Sequence, residues 1–122
     1  MALEPWNLPV TVGFKHGFLT KQGSSGLKTW KKRWFVLEYD QIKGYEKAQD
    51  ADSSSEIPLK GTISVVEAAD SDTSRDNVFK LVTSTKTYMF QTESREELQE
   101  WMHALRAMSS LYLCESTPGE NQ

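Results

Sequence analysis

The sequence predicts a mostly β domain, with about seven short strands followed by one helix near the C-terminus. Up to residue 92, short apolar stretches alternate with clusters of turn-forming residues, as is typical of a small β-barrel. After residue 93 the apolar residues change to the spacing of an amphipathic helix. The length of 122 residues fits one domain, and a content of 38% hydrophobic and 25% charged residues excludes a disordered chain.

The first half of the chain contains three predicted strands. Residues 16–22 alternate between two faces and stop at the turn-forming cluster 23–26. Residues 30–38 have the strongest strand pattern, because they are rich in aromatic and β-branched side chains. Residues 41–47 follow as a hairpin partner after a short turn.

The remaining strands lie between residues 57 and 92. Residues 57–67 contain one or two short strands, and Pro58 confines the first to an edge or a strand end because proline cannot donate to a ladder. Residues 78–83 and 87–92 form a further predicted hairpin, joined through residues 84–86.

A helix is predicted from residue 94 onward. Ser94 and Glu97 have the spacing of a capping box, in which the serine oxygen accepts from a first-turn amide while the glutamate reaches back. An apolar stripe follows at helical spacing: Leu98, Trp101, Leu105, Met108 and Leu111. A sheet that closes into a barrel has open ends, and one helix with such a stripe can plug one of them.

The two ends of the chain differ in sequence pattern from the part between them, which we expect to be the folded domain. We expect residues 1–14 to be a lead-in, residues 15–113 the domain and residues 114–122 a flexible tail. The single Cys114 excludes an internal disulfide framework, and no apolar run approaches the ~20 residues needed to cross a bilayer. The first residues lack the pattern of a secretory signal, so we expect a cytoplasmic protein.

Positive charge is concentrated in one part of the chain, although the net charge is −3. Residues 15–47 hold eight Lys or Arg and three Asp or Glu side chains, a net charge of +5. The other residues hold six and fourteen, a net charge of −8. Association responds to the local field more than to the total charge, so we expect residues 15–47 to face a negatively charged partner.

Three of these cations are predicted to point into the mouth of the barrel. Side chains two apart in a strand share a face, so Lys31 and Arg33 lie on the face of the core candidates Phe35 and Leu37. Lys21 takes the corresponding place at the end of the first strand. Like charges in such a place repel unless an anion lies between them. Polyvalent phosphates fit, since arginine offers a forked donor array and lysine a mobile point charge.

The same residues resemble pleckstrin-homology (PH) domains. Residues 21–37 contain a basic residue, a variable loop and then basic-x-Arg-aromatic-aromatic-aliphatic-Leu, which resembles the opening hairpin of the phosphoinositide-binding subgroup. The basic positions of that pattern are Lys21, Lys31 and Arg33. Residues 88–90 and the helix around Trp101 resemble the last strand and the helix of the family, including its characteristic tryptophan. The resemblance covers roughly residues 15–112.

The resemblance implies a seven-stranded, partly open barrel of two near-orthogonal antiparallel sheets, capped at one end by the C-terminal α-helix. The opposite end is expected to hold a pocket for a phosphoinositide headgroup. The implied headgroup-binding residues are Lys21, Lys28, Lys31, Arg33 and Lys43. Leu27 and Trp30, in or beside the first loop, are expected to touch the bilayer. The implied core residues are Phe35, Leu37 and Trp101.

Two positions depart from the high-affinity subgroup of the family. Its third strand carries a pocket-lining tyrosine where this chain has Gly44, and an arginine precedes its fourth strand where residues 53–55 are all serine. The resemblance therefore implies moderate affinity and incomplete discrimination among phosphoinositides, with Lys28 and Lys43 compensating in part.

The sequence predicts two alternative binding functions and does not support a catalytic one. The first function is a monomeric phosphoinositide-binding module that is reversibly recruited from the cytoplasm to membranes. The second is a protein-interaction module of the same fold, which docks a partner through strand edges or loops. An enzyme is not supported, because no serine has histidine and aspartate partners at a motif spacing. We expect no cofactor, no metal and no nucleic-acid partner.

Overall fold

A computed structural model describes residues 15–23, 29–48 and 50–120, with side chains as far as residue 110. The elements in chain order are β1 (Lys15–Gln22), β2 (Trp30–Leu37), β3 (Gln41–Tyr45), β4 (Ser55–Pro58), β5 (Thr62–Glu67), β6 (Val78–Thr83), β7 (Thr87–Gln91) and α1 (Arg95–Glu120). The segment predicted to hold one or two strands contains two, β4 and β5, and proline occupies the last position of β4. The strand bounds agree with the predicted ones to within about two residues, as is usual for strand ends.

All seven strands are antiparallel and form one hydrogen-bonded sheet in the order β4-β3-β2-β1-β7-β6-β5. The ladder between β1 and β2 includes all eight residues of both strands. β1 pairs with β7 only through Thr20 opposite Gln91 and Lys21 opposite Phe90. The two predicted sheets are therefore the two halves of one partly open sheet, joined by a short ladder. With the single C-terminal helix, this arrangement confirms the predicted fold.

The hydrophobic core lies between the sheet and α1. The predicted core residues Phe35, Leu37 and Trp101 are 1%, 0% and 2% exposed. Phe90 of β7 stacks on Phe79 of β6 and meets the Phe35 ring edge-on, with 5.3 Å between centroids in both pairs. Because Phe35 belongs to β2, these three rings join the two halves of the sheet by packing as well as by the short ladder.

Helix α1 begins at a hydrogen-bonded cap. The Glu97 amide donates to Ser94 Oγ at 3.1 Å, as the capping box predicts. The Glu97 carboxylate accepts from the amide of Glu93 at 3.3 Å, one residue before the position expected for its return bond. Both bonds use backbone amides that have no partner inside the helix, so the cap fixes the point where the chain leaves β7 and turns into α1.

Polar contacts fix α1 to β5 in addition to its apolar stripe. Arg106 Nε donates to the Val65 carbonyl oxygen at 2.8 Å, and Arg95 Nη2 lies 3.0 Å from Glu67 Oε1.

The backbone of α1 continues to Glu120, past the expected boundary at residue 113, and the division into lead-in, domain and tail stays a prediction. Among the described residues, no helix combines the length and the apolar character that crossing a membrane requires.

Trp101→Ala is expected to lower the free energy of unfolding by about 3–5 kcal/mol, because removing a buried aromatic side chain leaves a cavity. Urea denaturation followed by circular dichroism measures the loss. His103→Ala, at an exposed position of the same helix, is the control and should change the free energy of unfolding by about 0.5 kcal/mol or less. Similar losses for the two variants would show that Trp101 does not join the helix to the sheet.

Candidate functional site

A cavity of about 370 Å³ opens beside the end of the β1–β2 hairpin. Its lining residues are Lys21, Gly23, Thr29, Lys31, Arg33, Phe35, Ser54 and Ser55. Three of the predicted headgroup-binding cations therefore surround one cavity, which we call the hairpin cavity. The buried Phe35 supplies its apolar part, and the threonine and the two serines supply hydroxyl groups.

The register between β1 and β2 explains why the three cations converge. Lys21 lies opposite Lys31, and Leu19 lies opposite Arg33. Residues directly opposite in an antiparallel pair share a face, so all three cations project on the face that buries Leu19 and Phe35. Like charges directly opposite each other destabilise a strand pair. An anion in the cavity would therefore meet positive charge from both strands of the hairpin.

The three cations of the hairpin cavity have no carboxylate partner among the described residues. Arg33 Nη1 donates to the carbonyl oxygen of Lys32 at 3.1 Å, which leaves the rest of its donor fork available. Burial lowers the pKa of Lys21, and the charge of Lys86 lowers it further. Positive charge that is partly buried and lacks a counter-ion favours an anionic ligand.

Lys32 separates Lys31 from Arg33 in the sequence but lies on the opposite face of β2. Its Nζ is 2.8 Å from Glu93 Oε2 and 5.2 Å from the centroid of the Phe18 ring. The central lysine of the basic run is therefore already paired and does not line the hairpin cavity. Side-chain alternation thus divides one basic run into two groups with different surroundings.

Lys43 does not line the hairpin cavity, and its role in headgroup binding stays a prediction. It is opposite Val36 in the β2–β3 ladder, on the face that points away from Phe35. Its Nζ is 3.7 Å from Glu38 Oε1, so it has a carboxylate partner. The predicted residues Lys28 and Leu27 lie outside the described residues.

Trp30, the first residue of β2, lies on the face opposite to Lys31. The Arg75 guanidinium stacks over its ring at 4.5 Å, and Arg75 Nη1 donates to Gln91 Oε1 at 2.6 Å. The segment between β5 and β6 is thereby fastened to the start of β2. Trp30 is half-buried in this arrangement, and its contact with a bilayer stays a prediction. Sequence reasoning missed Arg75, because the two residues are far apart in the chain and no local pattern links them.

Gly44 is required by the packing around the hairpin cavity. A Cβ atom at this position would lie 2.7 Å from the Phe35 ring and 2.7 Å from Ser55 Oγ. Gly44 is opposite Phe35 in the β2–β3 ladder and opposite Ser55 in the β3–β4 ladder, so both neighbours are fixed by strand pairing. A side chain at position 44 therefore requires a shift of the Phe35 ring and of the Ser55 side chain.

Ser54 and Ser55 are cavity residues that the sequence analysis treated only as replacements for an arginine. The Ser54 amide and Ser54 Oγ donate to the Gly44 carbonyl oxygen at 2.7 and 3.1 Å, which holds the segment before β4 against β3. The signal that could have identified them is the pairing of β4 with β3, since it brings Ser55 opposite Gly44 and beside Phe35.

Comparisons with known proteins agree with this architecture. The chain matches the family model described as PH domain over residues 13–110. It is 39% identical over 101 residues to pleckstrin homology domain-containing family A member 6 of Homo sapiens, covering 81% of this chain and 9% of that protein. It is 32% identical over 107 residues to an Arf-GAP with ANK repeat and PH domain-containing protein of Caenorhabditis elegans, covering 87% and 13%. The chain thus spans only a small part of these curated relatives.

Solved structures show the same arrangement of strands and helix. A solution structure of a pleckstrin homology domain superposes with a TM-score of 0.70 at 31% identity, covering 81% of this chain and 87% of that one. The C-terminal PH domain of pleckstrin, crystallised with D-myo-Ins(1,2,3,4,5)P5, superposes with a TM-score of 0.64 at 30% identity, covering 77% and 95%.

Gly44→Ala is expected to lower the free energy of unfolding by about 1–3 kcal/mol, because the added methyl group overpacks the space beside Phe35. Chemical denaturation of Gly44→Ala, Phe35→Leu and the double variant measures the effect. The smaller leucine makes room for the methyl group, so the double variant should lose less stability than the sum of the two single losses. Additive losses would show that Phe35 does not limit the side chain at position 44.

Proposed function

Because this chain belongs to the PH domain family, we propose that it is a phosphoinositide-binding module that recruits its parent protein to membranes. The observation that carries the proposal is the convergence of Lys21, Lys31 and Arg33 on one cavity without a described carboxylate partner. The crystallised complex of the pleckstrin C-terminal PH domain with an inositol pentakisphosphate supports the same class of ligand.

The chemistry of the hairpin cavity suits a headgroup that carries several phosphates. Arg33 can donate two parallel hydrogen bonds to one phosphate, while Lys21 and Lys31 act as mobile point charges on either strand. The hydroxyl groups of Thr29 and Ser55 add neutral donors at the same cavity. Binding also removes the repulsion between the facing lysines, so we expect the cavity to be more ordered when it is filled.

Recruitment depends on the local charge of this face of the domain. Near an anionic membrane, each exposed cation contributes roughly 1 kcal/mol, and the attraction falls off within a Debye length. We propose that the domain is monomeric and resides in the cytoplasm. We also propose that it binds membranes reversibly, because salt weakens a contact made by the cations of one cavity.

A second candidate function is protein interaction through the outer face of β1 and β2. The Phe18 and Trp34 rings meet edge-on at 4.9 Å, and the His16 ring lies 5.3 Å from Trp34. Phe18 is 43% exposed, which is unusual for a large aromatic side chain in a paired strand. This aromatic cluster is on the face opposite to the hairpin cavity, so a protein bound there leaves the cavity accessible.

Arg33→Ala should weaken binding to phosphoinositide vesicles by about tenfold or more, because a charge-assisted bidentate contact is lost. Lys32→Ala is the matched control, since it removes a cation from the adjacent position on the other face of β2. It should weaken binding much less, because Lys32 does not line the hairpin cavity and its charge is already paired with Glu93. Co-sedimentation with phosphatidylcholine vesicles, with and without a phosphoinositide, at near-physiological salt measures both effects.

Two outcomes would contradict the hairpin cavity as the binding site. Equal losses for Arg33→Ala and Lys32→Ala would mean that a diffuse basic patch binds the membrane. No loss for either variant, with circular dichroism showing that both are folded, would favour the protein-interaction function.

We expect moderate affinity and incomplete discrimination among phosphoinositide isomers. Gly44 offers no side chain to the headgroup, and Ser54 and Ser55 offer hydroxyl groups in place of a guanidinium. Isotherms for a panel of phosphoinositides in otherwise identical vesicles test this. A preference of more than about a hundredfold for one isomer, equivalent to roughly 2.7 kcal/mol, would contradict it.

A further inference from the structure

Ser54 lines the hairpin cavity, and its side chain is exposed to solvent. The strands β1 and β3 end, and β2 and β4 begin, at the same end of the sheet, so the segment before β4 faces the β1–β2 hairpin. We propose that Ser54 is a phosphorylation site whose phosphate group binds Lys31 and Arg33 and excludes other anions from the hairpin cavity. The inference rests on the proposed function for the ligand that the phosphate excludes.

The backbone of Ser54 is held in place without the help of its hydroxyl group. The Ser54 amide donates to the Gly44 carbonyl oxygen at 2.7 Å, and Ser54 Oγ donates to the same oxygen at 3.1 Å. Phosphorylation removes the hydroxyl proton and with it the second hydrogen bond, whereas the shorter amide bond does not depend on that proton. The phosphate is therefore attached at a position that is fixed against β3, beside the cavity.

The hairpin cavity offers positive charge to a phosphate on Ser54. Lys31 and Arg33 have no carboxylate partner among the described residues, and none of the described lining residues is acidic. A phosphoserine carries a charge of about −1.5 to −2 at neutral pH and has three acceptor oxygens. Arg33 can donate two parallel hydrogen bonds to such a group, and Lys31 adds a mobile point charge.

A phosphate on Ser54 competes with a headgroup from within the same molecule. A group that is attached beside its site has an effective concentration on the order of millimolar, so it needs no second molecule to fill the site. The apparent affinity for a headgroup falls in proportion to the fraction of cavities that stay free. A phosphate that occupies about nine cavities in ten therefore weakens headgroup binding about tenfold.

The sequence around Ser54 suits a protein kinase with a basic substrate groove. Exposed acidic residues flank the serine on both sides, at Asp50, Asp52 and Glu56. Charge complementarity steers a basic groove to such a segment. Residues 50–54 precede the edge strand β4 and belong to no strand themselves, so the acceptor lies at the border of the sheet.

The modification is a phosphoryl transfer from ATP. Ser54 Oγ forms a bond to the γ-phosphorus, and the bond from that phosphorus to the oxygen that bridges it to the β-phosphorus breaks. ADP leaves with the electron pair, and a base of the kinase takes the hydroxyl proton. This chain therefore supplies only the acceptor oxygen.

The first test compares the full chain with phosphoserine installed at position 54 and the same chain with phosphoserine at position 53. Ser53 is the matched control, because its Oγ donates to Glu56 Oε2 at 2.8 Å and it does not line the hairpin cavity. Co-sedimentation with vesicles of phosphatidylcholine and a phosphoinositide, at near-physiological salt, measures binding. Phosphate at position 54 should weaken binding about tenfold or more, and phosphate at position 53 about threefold or less. Equal losses, or no loss at position 54, would overturn the inference.

The second test needs no lipid. Phosphorus nuclear magnetic resonance follows the second ionisation of the Ser54 phosphate, whose pKa is lowered by nearby cations because they favour the dianion. Arg33→Ala should therefore raise this pKa. Lys32→Ala should leave it unchanged, because Lys32 pairs with Glu93 on the other face of β2. The same pKa with and without Arg33 would show that the phosphate does not reach the cation, which contradicts the inference.

The third test asks whether a kinase modifies Ser54. The full chain and Ser54→Ala are incubated with ATP and a kinase that selects acidic segments, and mass spectrometry of peptides locates the phosphate. We expect a phosphate on Ser54 that is absent from Ser54→Ala. A phosphate found only on other residues would rule out Ser54 as the acceptor.

The inference and the proposed function fail in different ways. If the unmodified chain does not bind phosphoinositide vesicles, the proposed function is wrong, and the pKa of the Ser54 phosphate still shows whether the cavity holds it. If the unmodified chain binds and phosphate at position 54 changes nothing, the inference is wrong and the proposed function stands.

Discussion

Pairing between β1 and β2 positions part of the hydrophobic core and the cations of the hairpin cavity at the same time. One set of strand pairs, including Lys21 with Lys31 and Leu19 with Arg33, assigns cations and core residues to the same face. A shift of one residue in a strand would turn Lys32 inward and expose Phe35 to solvent. Burial of the apolar residues therefore also fixes the positions of the cations. The cavity cannot lose this arrangement unless core residues become exposed to solvent.

The sequence predicted the strands, the helix and the convergence of Lys21, Lys31 and Arg33, because all of them follow from side-chain period. The sequence did not reveal the ion pair of Lys43 with Glu38, because that contact depends on which face of β3 carries the side chain. The contact of Arg75 with Trp30 joins residues from distant parts of the chain, and no local pattern encodes it.

The structure distinguishes cations that have a carboxylate partner from those that have none among the described residues, which the sequence does not. Lys31 and Lys32 are neighbours in one basic run, yet only Lys32 has a carboxylate within ion-pair distance among the described residues. Exposed pairs of this kind contribute little stability, but they neutralise charge that would otherwise compete for an anion. Positive charge is thereby left unneutralised at the hairpin cavity.

The short β1–β7 ladder also has a consequence for folding. Strands β1–β4 and β5–β7 are two meanders of neighbouring hairpins, and only the β1–β7 pairing joins strands distant in the chain. Local hairpins close small loops, whereas the β1–β7 ladder must close a long one, so we expect it to form late and open first. All residues of the hairpin cavity belong to the first meander, whereas Tyr88 and Phe90, whose rings lie beside Lys21 and Phe35, belong to the second. A partial opening that separates the meanders would keep these lining residues on one unit, but it would take the rings of Phe90 and Tyr88 away from Phe35 and Lys21.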